Sequence, residues 1–199
     1  MSINLQKGQK VDLTKGNAGL SKIVVGLGWD TVQSSGGFLK SLLGSKPANI
    51  DCDASAIMLN VNDKLGRKED LVYYGNLKSA CGSVHHTGDN ITGDGDGDDE
   101  QIIVELAKVP NNIQKIVFVV NIYDCIGRKQ DFGMIKNAFI RIFNASNNQE
   151  LVKFNLSENF TGKTALIAGE IYRNSGEWKF GAIGEGTNDA SLRDIVNRY

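Results

Sequence analysis

Nine short runs rich in β-branched and aromatic residues follow one another along the chain, at 22–29, 50–60, 71–76, 101–108, 115–123, 138–144, 150–156, 165–173 and 177–184. Turn residues separate them, and few segments carry the 3.6-residue apolar period of a helix, so the pattern predicts antiparallel β-structure. Two of the runs are long and apolar enough for burial on both faces. Asn174-Ser175-Gly176, between the last two runs, is a hairpin turn signal, and Pro47 and Pro110 both fall in connections, as hydrogen-bonded ladders require. The fold class expected is all-β, a sandwich of two sheets with short peripheral helices. One such helix is predicted within 188–198, where an Asn/Asp start precedes Leu192, Ile195 and Val196 at helical spacing. Residues 33–49 form a Gly/Ser-rich insertion carrying Phe38, Leu39, Leu42 and Leu43, expected to be a flexible amphipathic turn or lid.

At 199 residues, with 41% hydrophobic and 23% charged content, the chain is expected to build one domain over 1–199. Segment 88–100, reading G-D-N-I-T-G-D-G-D-G-D-D-E, holds six carboxylates among four glycines and no Lys or Arg. Against a net charge of −1 for the whole chain, those six negative charges leave +5 on the remainder. That surplus is spread out, without a basic run or an aromatic–basic platform, so nucleic acid is not an expected partner. The first residues are polar and lack the pattern of a secretory signal, and no apolar run approaches the roughly 18 residues of a membrane span. A cytoplasmic location is expected. Cys52, Cys81 and Cys125 are odd in number and lack C-x-x-C spacing, which predicts reduced thiols that serve as packing residues.

Six carboxylates folded side by side repel one another unless a counter-ion joins them. Calcium accepts six to eight oxygens from carboxylates, carbonyls and water, and alternating glycines let the backbone bend its carbonyls inward, whereas magnesium demands a stricter octahedron. A merely solvated acidic loop is the alternative. Against it stand the further oxygen donors Asn90 and Thr92, and the abrupt change after Glu100 to an apolar run that anchors the segment. From Asp94 the segment begins like an EF-hand, but Asp99 replaces the glycine needed at the sixth place. Asp51 and Asp53, two apart at a strand start, point to one side, and with Asp30 they are further contributors. The candidate metal set is thus Asp89, Asp94, Asp96, Asp98, Asp99 and Glu100 with Asn90, Ile91 and Gly93 of the same segment, and Asp30, Asp51 and Asp53. Two calcium ions suit so many carboxylates better than one.

The segments G-L-G-W-D (26–30), I-D-C-D-A-S-A (50–56), H-T-G-D-N-I-T-G-D-G-D-G-D-D-E (86–100), F-V-V-N-I-Y-D (118–124), F-G-M-I-K-N-A-F-I-R (132–141) and G-E-I-Y-R-N-S-G-E-W-K-F (169–180) resemble, in order, the TerD family of tellurium-resistance and stress proteins. The resemblance implies a calcium-binding β-sandwich of the bacterial cytoplasm. It implies a role in resistance to tellurite, phage and other stresses, other stress proteins as partners, and no established catalysis. It places the metal on Asp89, Asp98, Asp99 and Glu100, with Asp94 and Asp96 as outer or charge-balancing groups. The insertion and residues 77–82 are similar to the TerX and TerZ branches more than to TerD itself.

Two other functions fit parts of the chain. His85 and His86 precede the acidic segment, and histidine with carboxylates is the donor kit of a two-metal hydrolase. Neighbours on a strand face opposite ways, however, so at most one of the two histidines reaches the site. The other is a recognition module in which an anionic ligand or a partner's carboxylate completes the calcium shell. Oligomeric state is not written in this sequence.

Overall fold

The computed structural model describes residues 2–31, 50–88 and 97–199. The described strands are β1 (Ile3–Leu5), β2 (Lys10–Asp12), β3 (Lys22–Thr31), β4 (Cys52–Asn60), β5 (Leu71–Val72), β6 (Val84–His86), β7 (Glu100–Glu105) and β8 (Ile113–Ile122), followed after helix α1 (Cys125–Arg128) by β9 (Ile135–Asn144), β10 (Gln149–Asn155), β11 (Ala165–Asn174) and β12 (Glu177–Thr187), with α2 (Leu192–Val196) last. They form two six-stranded sheets, ordered β1-β10-β9-β3-β7-β6 and β2-β12-β11-β8-β4-β5. Pairing is antiparallel except between β1 and β10. The expected sandwich is what the chain builds.

Alternation explains the packing. In β3, Ile23, Val25, Leu27 and Trp29 enter the core between the sheets, while Gly26, Gly28 and Asp30 take the other face. Strands β4 and β8 lie side by side within the second sheet and are buried on both faces. Ala54, Ala56, Phe118 and Val120 face the first sheet, whereas Ile57, Leu59, Val117 and Val119 meet Ile195 of α2 on the outside. The β11–β12 hairpin turns through Ser175 and Gly176, both at positive φ (53° and 84°), which is the geometry its sequence predicts.

Two strands of three residues, β1 and β2, are too short to display a period, whereas β6 is the strand on which the sequence sets His85 and His86. The run at 71–76 shrinks to β5 because Tyr73 and Asn76 bond each other's backbones and Asn76 Nδ2 donates to Leu71 O at 2.6 Å, closing a turn. The run at 101–108 ends as a 3-10 turn over Leu106–Lys108. The C-terminal helix is shorter than 188–198. Its cap is Ser191, whose Oγ accepts from Asp194 N at 3.3 Å, while Asp189 is held by Thr187 and Arg198. The insertion at 33–49 lies outside the described residues.

The registers Leu27↔Glu100, Cys52↔Ile122 and Ala165↔Thr187 bring the end of β3, the starts of β4 and β7 and the end of β8 to one end of the sandwich. The described residues on either side of both undescribed segments meet there.

Candidate metal site

The β3–β7 ladder stops at Leu27↔Glu100, and the β3–β9 register shifts between Gly28 and Asp30. Beyond Leu27 the edge of β3 needs other partners. Asp99 supplies them: its N–H donates to Leu27 O at 2.9 Å, and its Oδ2 accepts from Trp29 N at 2.7 Å. Asp98 folds back over the outer face of the first sheet, where Oδ1 accepts from Arg141 Nε at 2.6 Å and Oδ2 from Gln101 Nε2 at 3.0 Å. A Cβ on Gly26 would stand 2.2 Å from the Asp98 carboxyl carbon, and one on Gly28 would meet Phe139 at 2.4 Å and Gly97 O at 2.7 Å. The two glycines of G-L-G-W-D are therefore where the acidic segment presses onto the sheet. Asp30 is exposed beside them and accepts from Asn137 Nδ2 at 2.7 Å.

Glu100 faces inward. Its side chain and that of His86 are both 0% exposed, with Oε2 accepting from Ala54 N at 2.5 Å and lying 3.3 Å from His86 Nε2. His86 Nδ1 accepts from Gly88 N at 3.1 Å, so Nε2 carries the proton and reaches Ala54 O at 3.2 Å as well as Glu100. These contacts clamp β6, β7 and β4 together. His85 faces the other way, 2.7 Å from Gly82 O, as strand alternation requires.

Asp51 and Asp53 go to a different place. Asp51 lies 3.5 Å from Arg128, and Asp53 is buried on the outer face of β4, the face opposite Ala54 and Glu100. The structure thus gathers Asp30, Asp98, Asp99 and Glu100 at the β3–β7 end and sets Asp51 and Asp53 across the second sheet from them. Among the described residues, no group of three or more His, Cys, Asp or Glu is arranged to hold a metal by itself. Asp89, Asn90, Ile91, Gly93, Asp94 and Asp96 lie outside the described residues.

Electrostatics at this end fit a hard cation. Burial, followed by the charges of Asp30, Asp98 and Glu100, pushes Asp99 up to about 6 despite the opposing hydrogen bond from Trp29. Burial and the surrounding Asp53, Asp51, Glu100 and Asp99 likewise push the Cys52 thiol well up. Asp30, Asp98, Asp99 and Glu100 offer oxygen only, the donor calcium prefers, and a divalent ion would relieve the like-charge crowding that raises Asp99. Arg141 and Gln101 engage both Asp98 oxygens, each of which keeps a second lone pair.

Two sheets with an oxygen-rich acidic end, pressed onto a pair of strand glycines, define a β-sandwich domain. The TerD domain profile matches residues 1–199, and the chain belongs to that family. It is 64% identical over 199 residues to stress response protein SCP2 of Bacillus subtilis (strain 168), covering 100% of both chains. It is 44% identical over 186 residues to tellurium resistance protein TerD of Serratia marcescens, covering 94% of this chain and 91% of that protein. The TerX protein of the same organism is 38% identical, so whole-chain identity runs opposite to the branch features read at 33–49 and 77–82. A solved homologue of telluride resistance protein TerD from Streptomyces coelicolor A3(2) shares the fold, with a TM-score of 0.65 at 22% identity over 88% of this chain and 98% of that one.

Proposed function

We propose that this protein is a non-enzymatic, calcium-binding stress protein of the cytoplasm, a single domain on which calcium orders a surface for other stress-resistance proteins. The observation that carries the reading is that Asp30, Asp98, Asp99 and Glu100 all stand where the ends of β3 and β7 meet, with Asp99 raised to about 6 by burial first and then by the charges of the other three. The described chain stops at Gly88 and resumes at Gly97 at this same end, and Asp89, Asp94 and Asp96 fall between them in sequence. Two ions are proposed for this many carboxylates. Calcium, when bound, would supply the positive charge around which these oxygens gather. The protein's own part is the frame: Arg141 and Gln101 fix Asp98, the end of β3 fixes Asp99, and Ala54 and His86 fix Glu100. The family's names support a role in tellurite and general stress resistance, and defence against phage is proposed with it.

Hydrolysis is the weaker reading. Both His86 nitrogens are committed to protein atoms, which leaves the imidazole no lone pair for a metal or a proton transfer. No turnover of an activated phosphodiester with manganese is expected, and turnover that disappears in His86→Ala would overturn the non-enzymatic reading. Calcium binding is tested by melting with and without chelator. An ion that binds only the native state contributes about 2.7 kcal/mol at a hundredfold excess over its dissociation constant, or roughly 5–10 °C for a chain of this size. An unchanged melting temperature would contradict the site.

A further inference from the structure

The outer face of the second sheet carries a cavity of about 580 Å³, a size suited to a small ligand. Its walls come from the turn after β5, the end of β8, the start of β4 and α2. Tyr73 and Tyr74 stand edge to face, 5.3 Å apart with planes at 80°, and Tyr123 adds a third ring from the end of β8. Tyr74 and Tyr123 are 44% and 48% exposed, unusual for rings that line a concave surface. Beside the Tyr and Ser191 hydroxyls and the exposed Arg193, the lining carries acceptors deeper in. Asp53 is buried at the start of β4, Asp124 stands at the mouth, and Asn121 pairs with Asp53 across β4 and β8. Asn121 is only 5% exposed, and its Oδ1 receives no hydrogen bond among the described residues. A buried acceptor without a donor is rare in native interiors, and here it lines a cavity.

We infer that this cavity binds a small organic ammonium ion. Aromatic rings attract a cation through their π faces, carboxylates supply the opposite charge, and an ammonium N–H satisfies Asn121 Oδ1. The apolar side of α2, Leu192 and Val196, accommodates a short alkyl body. Tyr123 already receives a cation on one face, where the Arg128 guanidinium lies 5.1 Å from its centroid. Arg193 is the cation among the lining residues, and it is exposed at the rim where water screens it. A neutral alcohol can donate to Asn121 Oδ1 but lacks the charge that carboxylates and rings attract, and an anion would meet Asp53 and Asp124. The cavity lies on the opposite face of β4 from Glu100, so it stands apart from the calcium proposal and draws Asp53 into a separate role.

The test is titration of the full chain with n-butylammonium, read by calorimetry and by amide chemical shifts, with calcium and with chelator. Saturable binding should shift residues 73–74 and 121–124 in both conditions. Asp53→Asn should weaken it roughly tenfold or more, and Tyr123→Ala or Tyr74→Ala, both half-exposed residues, several-fold, with circular dichroism and melting showing that each variant is folded. 1-Butanol should bind at least roughly tenfold more weakly than the ammonium. Equal binding of 1-butanol would reduce the cavity to an apolar crevice and overturn the inference. Calcium that displaces the ammonium in an Asp53-dependent way would make it a metal site instead. Absence of a saturable shift at residues 121–124 would refute it outright.

Discussion

Replacing Arg141 by Met isolates the contact that holds the acidic segment to the sandwich. The Asp98 side chain is 1% exposed and its Oδ1 accepts from Arg141 Nε at 2.6 Å, while the arginine itself is 26% exposed and reaches Glu150 at 3.4 Å. Breaking a fully buried ion pair by removing one partner costs about 3–5 kcal/mol, because the other charge is left in a poor solvent. Water reaches this arginine, and Gln101 keeps its hydrogen bond to Asp98, so the expected cost is lower, about 2–3 kcal/mol. Met retains the packing of the stem against the Phe139 and Phe143 rings, which the guanidinium carbon now overlies at 5.5 and 4.8 Å. Urea denaturation in chelator should therefore show that loss at unchanged m, equivalent to a fall in melting temperature of roughly 5–10 °C. Asp98→Asn combined with Arg141→Met should recover about 1–2 kcal/mol relative to the sum of the single changes, since the stranded charge is gone. A loss under about 0.5 kcal/mol, the size of an ordinary surface substitution, or additive single changes, would show that Asp98 is solvated and that the sheet does not hold the segment.

Thiol reactivity should follow burial and hydrogen bonding. Burial raises Cys52 and Cys125, whereas at Cys81 the upward push of burial is outweighed by hydrogen bonds from Ser83 and Ser79, which lower it. Timed alkylation followed by peptide mass spectrometry should label Cys81 first and Cys52 only on unfolding; early labelling of Cys52 would contradict the packing. In chelator, stability should fall as pH rises from about 4 through about 6, because Asp99 binds its proton more tightly folded than unfolded, and Asp99→Asn should flatten that slope in urea titrations. Hydrogen exchange with and without calcium should change mainly across 88–100 and adjoining loops. Large changes inside β8 or β9, whose ladders run through the middle of the two sheets, would indicate a global switch instead of a rigid frame.

The strands that position the site were legible because β3, β4, β8, β11 and β12 are long enough for their apolar pattern to count. The short strands β1 and β2 were not, since pairing with a neighbour decides three-residue strands more than their own sequence does. The acidic segment announced its chemistry through charge alone. What charge does not reveal is direction: Asp98, Asp99 and Glu100 are consecutive, yet they face the outer surface, the strand edge and the core. The partners that decide this, Arg141, Trp29 and Ala54, are remote in sequence. The spacing of Asp51 and Asp53 does not reveal which face Asp53 takes, because that depends on β4 presenting Ile57 and Leu59 to α2 and Ala54 and Ala56 to the first sheet. Gly26 and Gly28 did carry a readable signal, two glycines inside a strand, which marks close approach by another part of the chain.

Calorimetric titration of the full chain with calcium tests the central claim most directly. Two ions per chain are expected, with at least one lost when Asp98→Asn and Asp99→Asn are combined and none lost in Tyr74→Ala. A chain that takes up no calcium, or a double variant that keeps the wild-type stoichiometry, would contradict the metal-ordered surface proposed for this end of the sandwich.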